Sequence, residues 1–414
     1  MRHPRTAATV VVALAAAVGG CGGSGAAQGG FTYQKTLTVY SDLPLRGPQA
    51  ALMRSIVDGE KLALYDAGGR VGKNPISFES LNDAQASAGG WTEIQTGDSA
   101  RAASQDLKAI AYIGDFDSAA TATSLTITNE NNILQVSPAS PYVGLTDANP
   151  YDQIGEPQRY YPSAKQTFAR LMPDDVAEAK ATTHFMSSLG VGSLYVLSDL
   201  DVYDAAVAPL VAAQAPQDGI TLAGQQQIDT QTNTQPVGYA HIAAAIAATH
   251  PDAVLVGAAP GPGVEALWQE LHNVLPGVKL FAPSTLATGS FLHTLGAAAG
   301  DTYVTSPILK LSQYPRSAQI VLRAYRKQFG LAPTAYTLYG YAAMQSVLAA
   351  LRAAGKHIDD RLAVVSAFFH LGELDSVIGD YSISSSGDTS LSTFAGYRVG
   401  SSGRLIELRL ISRG

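Results

Sequence analysis

The sequence predicts an α/β protein of two doubly wound, Rossmann-like lobes, each with a parallel central sheet. Three observations lead to this prediction. The chain has 414 residues, of which 46% are hydrophobic, so it can bury the cores of two or three domains. Short apolar runs alternate with helical stretches over about 270 residues, which is typical of βαβ units. No long linker divides the halves, so we expect the lobes to be joined by several short crossings.

Seven apolar runs that end in polar or small residues are predicted to be strands buried on both faces of a parallel sheet. They are 36–42, 77–83, 109–115, 133–139, 193–199, 253–259 and 279–285. Near the C-terminus the chain becomes richer in Ser and Gly. There 394–399 and 405–410 are predicted to pair as a closing hairpin.

Helices are predicted between these strands. In the first, Leu52, Ile56, Gly59 and Ala63 recur at helical spacing and form one stripe that faces the core. The other predicted helices are 98–108, 118–130, 175–189, 202–214, 239–249 and 263–274. This strand–helix alternation is what a doubly wound sheet requires.

The charge and cysteine content exclude several classes of protein. Only 15% of the residues are charged, the formal net charge is −7, and no run of basic residues occurs, which argues against nucleic-acid binding. The single cysteine, Cys21, excludes a disulfide within the chain and a zinc site built on several cysteines. We expect no metal ion, no cofactor and a monomer.

The N-terminus is predicted to be a targeting segment. Arg2, His3 and Arg5 precede a small-residue apolar run at 6–18, which is shorter than the roughly 20 residues of a membrane-spanning helix. The small residues before Cys21 resemble the lipobox of bacterial lipoproteins. By that resemblance 1–20 is a signal peptide, Cys21 carries the lipid, 21–30 is a flexible tether, and the protein is anchored outside the cytoplasmic membrane. The alternative is a plain secretory signal with an incidental cysteine.

Polar residues follow two neighbouring strands of the predicted sheet. Residues 113–118 (IGDFDS) end one strand and enter a helix, where Asp117 or Ser118 can serve as the N-cap. Residues 137–141 (SPASP) end the next strand. Ligands of doubly wound folds bind outside the carboxyl ends of the strands, and helix N-termini attract anions, so this pair of strand ends can hold a carboxylate or an amide. Ordinary capping and turn chemistry explains the same residues equally well.

Catalytic motifs are absent from the sequence. There is no P-loop, HExxH or GxSxG, and the eight histidines are scattered. Residues 261–266 match GxGxxA, but 258–260 separate them from the preceding strand and the next strand ends at Ser284 rather than at an acid. We interpret this motif as a Gly-Pro-Gly loop that enters a helix. We therefore expect a protein that is not an enzyme.

Several short motifs, in this order and spacing, resemble the substrate-binding proteins of branched-chain amino acid ABC transporters, the Leu/Ile/Val-binding or type I periplasmic-binding-protein family. The motifs are 43–48 (LPLRGP), 112–118 (YIGDFDS), 133–146 (ILQVSPASPYVGLT), 168–170 (FAR), 194–203 (LYVLSDLDVY) and 339–343 (YGYAA). The resemblance runs from about Thr36 to the C-terminus. The sequence YYP at 160–162 also resembles actinobacterial, lipoprotein-like members.

The resemblance implies a fold of two lobes joined by three crossings, with the ligand in the cleft between them. The crossings are then expected near 171–173, 305–307 and 378–380. Lobe one would hold 31–172 and 306–377, and lobe two would hold 173–305 and 378–414.

The resemblance also implies a ligand site at the two strand ends of lobe one and the facing loops of lobe two. The expected ligand-binding residues are Phe116, Asp117, Ser118, Ala139, Ser140, Pro141, Tyr142, Tyr203, Ala259 and Ser284. Backbone N–H groups and hydroxyls of lobe one would meet a ligand carboxylate, and Tyr203 would close over the ligand. Pro141 stands where the family often has a hydroxyl, so Ser140 or Tyr142 would substitute.

The second lobe departs from the family's pattern. Amino-acid binders carry an acid where this chain has Ser284, and that acid pairs with the ligand ammonium. A second aromatic is replaced by Ala258 or Ala259. A buried ammonium without a counter-charge is costly, so either Asp117 or Asp201 supplies the charge or the ligand is not an α-amino acid.

These observations predict an extracytoplasmic solute-binding lipoprotein. It would capture a small polar ligand, other than a standard branched-chain amino acid, by hinge closure and deliver it to a membrane permease. Amino acids, amides, small carboxylates, nucleoside-like compounds and sugars are the candidate ligands. The alternatives are a degenerate member that binds a protein partner, a sensor ectodomain on the same fold, and a lipid-anchored hydrolase, which lacks a recognisable nucleophile–base pair.

Overall fold

The computed structural model describes residues 35–85, 89–151 and 153–412. The expected signal peptide, the tether and Cys21 lie outside the described residues. None of the helices in these ranges combines the length and the apolar character that crossing a bilayer demands.

The described residues alternate between strands and helices. The strands are β1 (Leu37–Asp42), β2 (Arg70–Val71), β3 (Asn74–Leu81), β4 (Ala84–Gln85), β5 (Gly90–Trp91), β6 (Ala109–Ile113), β7 (Leu134–Ser137), β8 (Phe168–Arg170), β9 (Ser193–Asp199), β10 (Thr221–Ile228), β11 (Ala253–Gly257), β12 (Lys279–Ala282), β13 (Thr302–Ser306), β14 (Phe394–Val399) and β15 (Leu405–Ile411). The helices are α1 (Ala50–Asp66), α2 (Glu93–Gln105), α3 (Ser118–Glu130), α4 (Asp175–Ser188), α5 (Val207–Gln214), α6 (Ala240–Ala247), α7 (Pro262–Val274), α8 (Gly289–Thr294), α9 (Arg316–Phe329), α10 (Ala335–Ala354) and α11 (Arg361–Phe369).

Two large sheets organise these strands. Within the described residues the first has the order β2-β3-β1-β6-β7-β8, and the second has the order β10-β9-β11-β12-β13-β14-β15. Within these two sheets pairing is parallel except for β2 with β3, β13 with β14 and β14 with β15, and β4 and β5 form a separate antiparallel pair. We call the parts built on these sheets the first and the second lobe. The predicted fold class, two doubly wound α/β lobes with mainly parallel sheets, is confirmed.

Every strand predicted from an apolar run is present, and so is the hairpin of β14 and β15. Six strands were not predicted, namely the two-residue strands β2, β4 and β5 and the longer strands β8, β10 and β13. β10 lies at the edge of the second sheet and is half-exposed, with three consecutive glutamines, so it lacks an apolar run. α5 begins at Val207 rather than at 202, because Asp201 caps a turn through the backbone N–H groups of Tyr203 and Asp204.

The core of the first lobe is closed by helices that come late in the chain. α10 packs along α1, and α9 and α11 join the same hydrophobic core. Ile56, Gly59 and Ala63 of the predicted stripe are buried on α1, and Leu52 is half-buried. α1 and α10 approach closely at two glycines, since a Cβ at Gly59 would lie 2.2 Å from the carbonyl oxygen of Thr337.

We propose that the last crossing between the lobes lies later than the resemblance implied. Tyr381 is buried in the first lobe's core, and Ile383 and Leu391 pack against it, which favours a crossing between Leu391 and Phe394 over one at 378–380. The apolar side chains of 381–391 are what hold that segment on the first lobe. We therefore propose lobe boundaries of 35–172 with 307–391, and 173–306 with 392–412.

Candidate functional site

A cavity of about 430 Å³ opens between the two lobes, at the carboxyl ends of their parallel strands. We call it the cleft cavity. Of the ten residues expected to bind ligand, those that line it are Phe116, Asp117, Ser118, Ala139, Pro141, Tyr203 and Ser284. The expected residues therefore come together from both lobes, with three exceptions.

Ser140, Tyr142 and Ala259 do not line the cleft cavity. The Ser140 hydroxyl donates to the carbonyl oxygen of Asp115 at 3.0 Å and is buried. The Tyr142 hydroxyl donates to Glu156 at 2.6 Å, and its ring lines a separate cavity of about 470 Å³. Ala259 is half-buried in the loop before α7. Neither Ser140 nor Tyr142 thus stands in for the hydroxyl that Pro141 lacks.

Several donors that the resemblance assigned to a ligand carboxylate are engaged within the protein. The N–H of Ala139 donates to the hydroxyl oxygen of Ser137 at 3.1 Å, and the N–H of Ser140 donates to the carbonyl oxygen of Phe116 at 3.2 Å. Pro141 has no N–H. This strand end therefore offers an anion fewer donors than its sequence predicted.

Asp117 presents a carboxyl group to the cleft cavity. It occupies the N-cap position of α3, but its side chain makes no capping hydrogen bond, and it lines the cavity instead. The hydroxyl of Ser118 accepts a hydrogen bond from the backbone N–H of Tyr142 at 3.2 Å. Burial, with a smaller contribution from the charge of Asp201, raises the pKa of Asp117 to about 7.

The acid that the second lobe places in the cleft cavity is Asp204. Asp201, the expected candidate, does not line the cavity, and its carboxylate accepts from the N–H groups of Tyr203 at 2.9 Å and Asp204 at 3.0 Å. Burial, with smaller contributions from the charges of Asp201, Asp117 and Asp199, raises the pKa of Asp204 to about 8. Acidic groups of the two lobes thus repel one another across the cleft.

A third carboxyl group lies behind Ser284. Glu178 on α4 is buried, and its carboxylate accepts from the Ser284 N–H at 2.6 Å and from the Ser284 hydroxyl at 2.5 Å. Burial raises the pKa of Glu178 to about 7, although both hydrogen bonds oppose the rise. The position where the family carries an acid is thus occupied by a serine whose donors point at a buried glutamate.

Aromatic rings line and close the cavity. Phe116 and Tyr336 have ring centroids 5.4 Å apart in the first lobe. From the second lobe, the Tyr203 ring meets the edge of Tyr142 at 5.0 Å, and its hydroxyl lies 3.5 Å from that of Tyr160. These contacts join the lobes beside the cleft cavity.

Arg170 connects three parts of the first lobe. These are the end of β8, where it lies, the loop after β7 that carries Ser140 and Tyr142, and the later segment that carries Asp388. Arg170 is fully buried, pairs with Asp388 at 2.9 Å, and donates to the carbonyl oxygens of Ser140 at 2.8 Å and Tyr142 at 2.7 Å. A buried guanidinium needs such partners, because its desolvation is otherwise uncompensated. Arg170 therefore holds the shape of the loop that carries Ala139 and Pro141.

A second group of acids lies under the cleft, inside the first lobe. Asp42, Asp83 and Asp115, the acid trio, are fully buried, and their oxygens lie within 4.8 Å of one another. The Tyr112 hydroxyl lies 3.0 Å from both Asp42 and Asp115. Burial raises the pKa of Asp42 to about 7, that of Asp83 to about 10 and that of Asp115 well above its usual range. In the described ranges this is the group spaced to hold a metal ion, and we interpret it as carboxyls that retain protons.

Sequence reasoning missed Asp204, Glu178 and Tyr336. Asp204 directly follows the stretch that ended at Tyr203, so extending that motif by one residue would have found it. Glu178 lies in a predicted helix, far from any strand end, and no signal in the sequence joins it to Ser284. Tyr336 precedes the 339–343 motif on α10.

Comparisons with known proteins agree with this geometry. A family model described as periplasmic binding protein matches residues 43–404. Leu/Ile/Val-binding protein homolog 1 of Brucella abortus is 34% identical over 113 residues, which cover 27% of this chain and 29% of that protein. The match thus spans less than a third of the relative's length.

Solved structures resemble the whole of the described fold. A leucine binding protein from Thermotoga maritima superposes with a TM-score of 0.72 at 17% identity, over 91% of this chain and 99% of that one. An ABC transporter solute binding protein from R. palustris, in complex with benzoate, gives a TM-score of 0.69 at 18% identity, over 91% and 96% of the two chains. At this identity the likeness establishes the fold.

Proposed function

The chain belongs to the periplasmic binding protein family, and from that premise we propose that it captures a small polar ligand in the cleft cavity and delivers it to an ABC importer permease. Proteins of this family bind small solutes outside the cytoplasm. The observation that carries the proposal is the cavity of about 430 Å³, lined from both lobes at the ends of their parallel strands.

Binding would proceed by closure of the lobes. Ligand docks against Phe116 and Asp117, and the second lobe brings Tyr203 and the loop at Ser284 over it. Only contacts that differ between the open and closed forms can drive closure, so the contacts from the second lobe decide which ligand is retained. The edge contact between Tyr203 and Tyr142 then stabilises the closed form.

The ligand is proposed to be other than a standard branched-chain amino acid. The names of the relatives mention leucine, isoleucine and valine, and one similar structure holds benzoate, which shows how far ligands range on this fold. Here Ser284 donates to Glu178, and the N–H groups of Ala139 and Ser140 are engaged. The groups that the family uses to bind an α-carboxylate and the group that it uses to bind an α-ammonium therefore both differ in this chain.

The proposed function can be tested by plugging the cavity. Thermal-shift screening of a few hundred metabolites, followed by titration, should give ligands that raise the melting temperature by mass action. Gly289 lines the cavity and has open space at its Cβ, so Gly289→Trp should abolish binding without unfolding the protein. Gly300 also has open space but does not line the cavity, which makes Gly300→Trp the matched control.

Two outcomes would contradict the proposal. Ligands that bind Gly289→Trp as well as the wild type would lie outside the cleft. A protein that responds to none of the metabolites would favour the degenerate member or sensor ectodomain that recognises a protein partner.

Lipid anchoring through Cys21 is proposed separately. The n-region, the apolar run and the small residues before the cysteine support it. Cells expressing the wild type should carry the protein in the membrane fraction, whereas Cys21→Ala should release it or leave it unprocessed. A Cys21→Ala protein that is processed and stays in the membrane fraction would contradict the anchor.

A further inference from the structure

We propose that the ligand of the cleft cavity carries a cationic nitrogen, an amine or quaternary ammonium group, held between Asp117 and Asp204 and against the aromatic rings of the cavity. This inference rests on the proposed function and narrows its ligand class. Three independent features of the cavity lead to it: its charge, its hydrogen-bonding groups and its rings.

The charge of the cavity is one-sided. Asp117 of the first lobe and Asp204 of the second both line it, and none of its described lining residues is Lys, Arg or His. Asp201 lies close enough to both to raise their pKa values. An anionic ligand would be repelled by these carboxylates, whereas a cation would be attracted by groups from both lobes at once.

The polar groups beside these acids favour the same ligand. The N–H groups of Ala139 and Ser140 are engaged within the first lobe, and both donors of Ser284 point at Glu178. The two N–H groups are donors that the resemblance assigned to a ligand carboxylate. When ionised, the carboxylates of Asp117 and Asp204 can only accept hydrogen bonds, so each then requires a donor or a positive charge.

The rings complete a site for an organic cation. Phe116 and Tyr336 lie together on the first lobe, and Tyr203 approaches from the second. The negative face of an aromatic ring attracts an ammonium group within about 6 Å, and the attraction grows when water is excluded. A quaternary or primary ammonium can therefore contact rings and carboxylates in one cavity.

A cation also resolves an energetic conflict in closure. Closing the lobes brings Asp117 towards Asp201 and Asp204, which costs energy as long as these groups are charged. In the empty cleft the conflict is relieved by protons, because burial and mutual repulsion raise the pKa of Asp117 to about 7 and that of Asp204 to about 8. A bound cation would replace those protons.

The affinity for a cation should therefore depend on pH. The charges of Asp199 and Asp201 reach these carboxyls, and the titratable side chains of Tyr203 and Tyr336 line the same cavity. Below pH 6 the two cleft carboxyls are mostly protonated and must lose their protons before they pair with a cation. Affinity should rise at least tenfold from pH 6 to pH 8.

The test uses probes that differ in charge but not in shape. Choline and its uncharged isostere 3,3-dimethylbutan-1-ol are titrated into the protein, together with putrescine, benzoate and L-leucine. We expect the cationic probes to bind. Asp117→Asn and Asp204→Asn should each lower the affinity for these probes at least tenfold. Glu373→Gln, an exposed acid outside the cavity, should leave their affinity unchanged.

Three results separate this inference from the proposed function. If uncharged or anionic probes bind and Gly289→Trp abolishes their binding, the inference of a cationic ligand is refuted and the proposed binding function stands. If cations bind but neither Asp→Asn variant weakens them, or their affinity is the same at pH 6 and pH 8, the assigned carboxylates are refuted. If neither these probes nor any screened metabolite binds, both proposals fail. Melting curves of the variants verify that each remains folded.

Discussion

Glu60 gives the most direct measurement of what a buried acid costs this fold. It lies on α1 and is fully buried, and among the described residues no donor meets its carboxylate oxygens in good hydrogen-bond geometry, although the Ser41 hydroxyl is near. Burial raises its pKa from 4.5 to about 8, and the Ser41 hydroxyl and the Lys61 charge offset only part of the rise. Glu60→Gln keeps the shape of the side chain and removes the ionisation.

The sign and size of the effect follow from proton linkage. In the unfolded chain Glu60 ionises above pH 4.5, whereas in the folded protein it keeps its proton up to about pH 8. Stability contributed by the protonated form is therefore present below pH 4.5 and is lost as the pH rises through 8. At roughly 1.4 kcal/mol per pH unit, the loss amounts to about 5 kcal/mol. The glutamine variant loses none of it.

Urea unfolding at pH 4.5, 6, 7 and 8 measures this difference. The free energy of unfolding of Glu60→Gln minus that of the wild type should be small at pH 4.5 and should grow by several kcal/mol by pH 8. Glu373→Gln, whose side chain is exposed, should show a difference that hardly changes with pH. A flat difference for Glu60→Gln, or one that falls with pH, would refute the reasoning.

Three further predictions concern stability. Gly59→Ala should destabilise the protein by about 1–3 kcal/mol in urea unfolding, because the new Cβ would lie 2.2 Å from the Thr337 carbonyl oxygen; an unchanged midpoint would contradict this. Arg170→Met should cost about 3–5 kcal/mol because it leaves the Asp388 carboxylate unpaired, and adding Asp388→Asn should restore part of that loss; no restoration would contradict the ion pair. EDTA should leave the melting temperature unchanged at pH 7 if the acid trio holds protons, whereas a lower melting temperature would reveal a bound metal ion.

The fold was largely predictable because most of its strands are buried on both faces. β9, β11 and β12 are continuous apolar runs, so composition alone indicates them. β10 was not predicted because it is an edge strand with partly exposed polar side chains, so it lacks an apolar run. α10 was not predicted because it is buried along most of its length and lacks the single apolar stripe of a surface helix.

Only the site residues that lie at the ends of predicted strands could be predicted from the sequence. Strand ends place Asp117, Ala139 and Ser284 in one cleft because parallel strands end at the same edge. The direction in which a donor points depends on partners far away in sequence. Ser284 and Glu178 are separated by 106 residues, and their hydrogen bonds decide what the second lobe can offer a ligand.

The proposed late crossing between Leu391 and Phe394 bears on how this protein is made. The helices that close the first lobe follow β13. β14 and β15, which finish the second sheet, come after those helices and are the last strands of the described residues. A nascent chain that has reached Ser306 therefore carries the parallel strands of both sheets and completes neither lobe. Contacts of such high sequence separation form slowly, and apolar faces stay uncovered until they do. We expect folding to wait for nearly the whole chain, so that chaperones or proteases meet this protein chiefly during synthesis and export.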